Sequence, residues 1–131
     1  MQNINKLKTS YSPWNFSFCD EIDGFKIEYK NIIEFSQGSP LIGNLYVNNK
    51  ELLKNKFFSS PYLYFERYLY ISMFIKRFCL SGFIITKINL DTLEIHYISK
   101  IESLIYIDCM YSSKLIYYTD INKEKKKEIL L

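Results

Sequence analysis

His96 is the only histidine in the chain, and it stands between Ile95 and Tyr97. A serine or cysteine hydrolase would need this one imidazole beside its nucleophile. The ordinary role of such a residue is a strand histidine facing a hydrogen-bond partner or solvent. A zinc site takes three or four His, Cys or acidic ligands. Cys19, Cys79 and Cys109 are widely spaced and form no C-x-x-C pair, so no metal is expected. The glycines Gly24, Gly38, Gly43 and Gly82 form neither a G-x-G-x-x-G nor a P-loop pattern. The usual phosphate cradles are therefore missing, and no cofactor is expected.

The carboxylates are more concentrated. Asp20, Glu21, Asp23, Glu28 and Glu34 fall close together, against only Lys26 and Lys30. A pair of acids held at fixed separation can cleave a glycoside. The ordinary reading is a polar turn with solvent-facing strand positions, and nothing in the sequence shifts a carboxyl pKa. A third reading is an acidic docking surface, which needs only exposure and a basic partner. The opposite sign lies further on. Lys50, Lys54, Lys56, Arg67, Lys76, Arg77 and Lys87 outnumber Glu51 and Glu66, and they interleave with Tyr62, Tyr64, Tyr68 and Tyr70. Cations among aromatic rings suit single-stranded nucleic acid, although a solvated face beside aromatic core residues gives the same pattern. The net charge of +3 is too weak to favour a polyanion partner. Lys123 to Lys127 read as a soluble end.

The elements that must position these groups are strands. Aromatic residues make up 18% of the chain, and β-branched and aromatic residues crowd from Ser60 to Ile98, as suits a pleated, half-buried surface. Trp14 to Cys19 alternates, with Trp14, Phe16 and Phe18 on one face. Asp20 to Gly24 reads as a turn, and Phe25 to Tyr29 pairs back as a hairpin, with Lys26 and Glu28 on the face opposite Phe25, Ile27 and Tyr29. Further strands are expected at 32–35, 45–47, 62–66, 68–75, 83–90, 93–98, 103–109 and 114–118, with a tight turn at 89–92. Residues 51–57 fit one helical turn or a loop. Residues 1–11 read as a frayed arm, and residues 120–131 as a short helix from Asp120 or a solvated tail.

These elements predict one domain over residues 1–131 of mainly β class. An antiparallel meander would form a twisted sheet or a two-layer β-sandwich, with one or two short helices at most. Ser-Pro pairs at 12–13, 39–40 and 60–61 hint at repeated strand units, but two or three blades are too few for a closed propeller. Trp14, Phe16, Phe18, Ile84, Ile88, Leu104 and Ile116 are the expected core. The first residues lack a signal-peptide core, and the apolar run 68–75 is too short to span a bilayer. A cytoplasmic protein with reduced, mostly buried cysteines follows as the expectation.

The segments Ser12 to Gly24, Gly38 to Asn44, Ser60 to Ser72 and Gly82 to Ile95 together carry a resemblance. In that order of turns and strands the chain resembles small bacterial immunity proteins of polymorphic toxin systems, of the contact-dependent inhibition or Rhs type. The resemblance implies a cytoplasmic, non-enzymatic protein that binds and neutralises one cognate toxin domain. It transfers no contact residue. A toxin that attacks nucleic acid carries a basic cleft, so Asp20, Glu21, Asp23, Glu28 and Glu34 become the expected toxin-binding residues, with exposed tyrosines as apolar anchors. No direct contact with nucleic acid or membrane is then expected. The alternatives are a nucleic-acid-binding or assembly module using residues 50–87, and a small hydrolase using His96.

Overall fold

The computed structural model describes residues 4–6, 11–77 and 80–131. Among these there is no helix, and the strands are β1 (Ile4–Lys6), β2 (Cys19–Ile22), β3 (Phe25–Glu34), β4 (Leu41–Val47), β5 (Lys50–Glu51), β6 (Leu63–Phe65), β7 (Tyr68–Arg77), β8 (Leu80–Asn89), β9 (Ile95–Tyr97), β10 (Tyr106–Tyr111), β11 (Lys114–Tyr118) and β12 (Lys126–Leu130). They form three four-stranded antiparallel sheets, ordered β2-β3-β4-β5, β6-β7-β8-β9 and β1-β10-β11-β12. The antiparallel meander expected from the sequence is present.

The side chains of β7 and β8 alternate between two cores. Leu69, Ile71, Met73 and Ile88 pack with Phe25, Ile27, Tyr29, Leu45 and Val47 of the first sheet. Tyr70, Phe83 and Ile85 face the other way and join Ile107, Met110, Leu115 and Tyr117 of the third. The middle sheet is covered on both faces, so its strands read as continuous apolar runs. Three sheets are thus layered over two cores.

Two short backbone contacts extend the middle sheet. Gly43 and Phe58 exchange N–H···O bonds of 3.0 and 2.7 Å, and the Phe74 N–H donates to the Phe57 carbonyl at 2.8 Å. Residues 57–59 therefore stitch β4 to β7. Gly43 also lets β4 approach the β3 bulge closely, because a Cβ there would lie 2.6 Å from Ile32 Cδ1 and 3.0 Å from the Lys30 carbonyl oxygen. Beyond β9, Glu102 bridges Phe83 through bonds of 2.7 and 2.9 Å. A Cβ on Gly82 would sit 2.8 Å from the Glu102 carbonyl oxygen.

Local departures from the sequence expectations have identifiable causes. The Trp14–Cys19 strand does not form. Ser12 Oγ accepts the N–H groups of Trp14 and Asn15 at 3.2 and 3.1 Å, making a side-chain-closed turn there. Phe16 is buried, Trp14 is half-buried, and Phe18 is 45% exposed. Ile88 and Ile116 are buried as expected, whereas Ile84 and Leu104 are only half-buried. The turn before β3 shrinks to Asp23 and Gly24, leaving Asp20 and Glu21 in a strand. The two strands expected at 25–29 and 32–35 are one strand carrying a bulge, with Asn31 at φ 55°. Residues 52–57 are a loop with positive φ at Leu53 and Asn55. The end of the chain is neither helix nor free tail. The Asp120 carboxylate accepts the N–H groups of Glu124 and Lys125, and β12 then pairs with β11. Cys19 is exposed and Cys109 buried, while Cys79 and most of the expected frayed arm lie outside the described residues.

Candidate binding surface

The five carboxylates singled out from the sequence are distributed over different parts of the first sheet. The β2–β3 register sets Asp20 opposite Ile27 and Glu21 opposite Lys26. Ile27 faces the first core, so Asp20 turns inward and Glu21 outward. Asp20 accepts the Tyr11 hydroxyl at 3.0 Å and the Tyr62 hydroxyl at 2.7 Å. Beside it the buried Tyr29 donates to the Ser59 carbonyl at 2.7 Å. Burial, and then the bond to Asp20, push the Tyr62 phenol well above its ordinary range. Burial alone dominates the same rise at Tyr29. The Tyr106 hydroxyl reaches the Tyr11 carbonyl at 3.4 Å, so this junction ties the third sheet to the first. Asp20 is internal glue. Glu34 closes β3 at the opposite end from Asp23, about 30 Å away for a ten-residue strand.

The remaining acids gather at one end of the molecule, where the hairpin turns of the first two sheets meet. The β6–β7 turn is made by Glu66 and Arg67, both with positive φ, the backbone pattern that matches strand twist in two-residue hairpins. Arg67 holds Asp91 bidentately, with Nε 2.7 Å from Oδ2 and Nη2 2.5 Å from Oδ1. Its Nη1 lies 4.0 Å from Asp23 Oδ2, and its guanidinium carbon sits 4.8 Å from the Phe25 ring centroid. The Tyr64 hydroxyl donates to Asp23 Oδ2 at 2.5 Å. In the β8–β9 turn, Asn89 Oδ1 accepts the N–H groups of Asp91 and Thr92 at 2.9 and 3.2 Å. The Arg67 hydrogen bond holds the Asp91 carboxyl below the usual range, and the bond to Asp23 raises the Tyr64 phenol. Glu21 and Glu66 are exposed on this end. Glu28 is half-buried, with Lys26 Nζ 3.7 Å away. Glu21, Asp23, Glu66 and Asp91 thus gather around Arg67, while Glu28 stands further along β3 beside Lys26, with Lys30 over the neighbouring Tyr46 ring. Sequence reasoning missed Glu66 and Asp91, which lie far along the chain from Asp23. The 89–92 turn was legible, but not its apposition to the 66–67 turn.

No family model, curated protein or solved structure matches this chain.

The basic aromatic region does not form one stripe. Tyr62 and Tyr70 are buried, and Tyr64 and Tyr68 are half-buried. Lys54 and Lys56 stand in the loop after β5, Arg67 is paired, and Lys76 lies at the far end of β7. Lys87 lies over the Tyr68 ring at 4.4 Å, and the Arg77 side chain is outside what the structure describes. His96 is exposed, with Nε2 2.7 Å from Glu94 Oε1. Both line a groove of about 390 Å³ with Tyr68, Lys87, Asn89 and Ile98. Among the described residues lining it there is no serine, threonine or cysteine to serve as a nucleophile. The far end of the middle sheet is apolar, with Leu80 78% exposed and Phe35, Phe74 and Phe83 in mutual ring contact.

Proposed function

We propose that the chain is an immunity-type protein that binds and neutralises a cognate toxin domain, and that the acidic turn end is its contact surface. The observation that carries this reading is the arrangement around Arg67. A chain of net charge +3 brings Glu21, Asp23, Glu66 and Asp91 to one end, where Arg67 and Tyr64 cross-link the turns that present them. A rigid patch of one sign accelerates encounter with an oppositely charged partner and fixes its orientation. A nucleic-acid-cleaving toxin is such a partner, because its substrate is a polyanion. Tyr64, half-buried beside the charges and packed on Phe25, supplies aromatic bulk of the kind that anchors interfaces.

The test is co-purification of this chain with the C-terminal toxin domain encoded beside its gene, followed by association kinetics. Glu21→Lys and Glu66→Lys reverse exposed charges that hold nothing else together. The double reversal should slow association about tenfold or more at low salt, with the difference shrinking as salt rises. Unchanged association would remove the acidic end from the interface, and absence of any complex would remove the immunity reading itself.

A further inference from the structure

The groove on the other face of the middle sheet presents hydrogen-bond donors from Lys87, Asn89, His96 and Tyr68 beside a single carboxylate, Glu94. Lys87 and His96 are cross-strand neighbours on one face of β8 and β9. The Lys87 ammonium is held over Tyr68 at 4.4 Å and near Tyr70 at 5.9 Å, with no carboxylate partner among the described residues. The Asn89 oxygen is spent on the Asp91 and Thr92 N–H groups, which leaves its amide NH₂ as the free end. Tyr68 adds a hydroxyl. The one carboxylate lining the groove, Glu94, is bonded to His96 Nε2. That bond assigns the Nε2 proton to the side facing Glu94 and leaves Nδ1 as the second ring nitrogen, which becomes a donor when the imidazole is protonated. The groove's volume of about 390 Å³ is within the range of small-ligand sites.

We propose that this groove binds a small oxyanion, a phosphoryl or carboxylate group, held by Lys87, Asn89 and protonated His96 with Glu94 orienting the imidazole. The carboxylate does for His96 what an orienting acid does for any imidazole that must act in one tautomer. Around His96 the charged and titratable groups are Lys87 and Tyr68 across the sheet, Glu94 on its own segment, and Glu66 at the turn near Tyr70. Of these, Lys87 favours the anion while Glu94 and Glu66 oppose it, so the positive charge that His96 gains on protonation, offsetting Glu94 beside it, decides the balance. Proton uptake by His96 therefore raises oxyanion affinity.

The experiment is an NMR titration of the full chain with sulfate as the tetrahedral probe and formate as the planar one, both ionised throughout, at about pH 5.5 and about pH 8. Saturable shifts at His96 and Asn89, with affinity several-fold higher at the lower pH, support the site. Tighter sulfate assigns a phosphoryl ligand and tighter formate a carboxylate. Lys87→Met should weaken binding about tenfold while Lys54→Met leaves it unchanged, and His96→Gln should flatten the pH dependence. Non-saturating shifts, saturation away from the groove, or full affinity in folded Lys87→Met overturns the proposal. Should Lys87→Met fail to fold, the wild-type chain still decides. Sulfate must move the His96 titration midpoint upward, and an unmoved midpoint overturns the site.

Discussion

Replacing Asp20 should destabilise the protein without touching its exposed charge. The Asp20 oxygens accept hydroxyls from Tyr11 and Tyr62, and Tyr62 is buried. A hydrogen bond to a charged group contributes about 1.5–3 kcal/mol, and a buried donor left without a partner costs about 1–3 kcal/mol. The half-buried Tyr11 hydroxyl can turn to water and recover most of its loss, whereas the Tyr62 hydroxyl has no such route. Asp20→Ala should therefore cost about 3–4 kcal/mol, and Asp20→Asn, which keeps one carbonyl acceptor, about 1–2 kcal/mol. Glu21→Ala, one residue away on the outward face, should stay within about 0.5 kcal/mol. The assay is urea unfolding of the single variants and of Asp20→Ala combined with Tyr62→Phe. Because the second change removes the orphaned hydroxyl, the pair should cost about 1–2 kcal/mol less than the sum. Strict additivity, or an Asp20→Ala cost below about 1 kcal/mol, would refute the account of Asp20 as an internal acceptor.

The Tyr29 and Tyr62 phenols are raised mainly by burial. Above about pH 10 the unfolded chain loses protons that the folded chain keeps, so stability should fall by about 1.4 kcal/mol per pH unit for each tyrosine. Urea midpoints measured from pH 9 to 11 check this, and a flat profile contradicts it. Gly43→Ala drives a Cβ against Ile32 and the Lys30 carbonyl. Thermal unfolding should report a loss of about 1–3 kcal/mol, where an ordinary extended glycine would gain from the same change. Ile71→Ala, fully buried between the first two sheets, should cost about 2–5 kcal/mol in the same assay.

Much of the fold was legible because strand grammar is local. Lys114–Tyr118 and the β7–β8 pair stood out through β-branched and aromatic content, and the 89–92 turn through its Asn and Asp. The third layer was not legible. Runs such as 68–75 are the signature of a strand covered on both faces, but sequence alone does not say what covers the second face. The Asn31 bulge escaped for a related reason. It shifts register midway through β3, so one long strand looked like two short ones. In the candidate surface, period-two logic placed Lys26 and Glu28 opposite Phe25, but the extent of the turn decided Asp20. One residue of error in register turns a side chain from solvent to core, and here a surface acid became a core acceptor. Glu66 and Asp91 needed the apposition of two turns that only tertiary packing supplies.

The pairing of β1 with β10, Ile4 opposite Tyr111, has a consequence for how the protein is made. The first two sheets are assembled from neighbouring hairpins and can form as soon as their segments leave the ribosome, because their closure spans short stretches of chain. β1 leaves before its partner and must wait until β2 to β9 have followed it before β10 exists. The third sheet is therefore the late step of biogenesis, and through that interval β1 stands unpaired and open to capture by the β10 edge of another copy. Synthesis at high local density, as on a polysome, favours such an exchange, and a strand-swapped dimer is the by-product this topology invites.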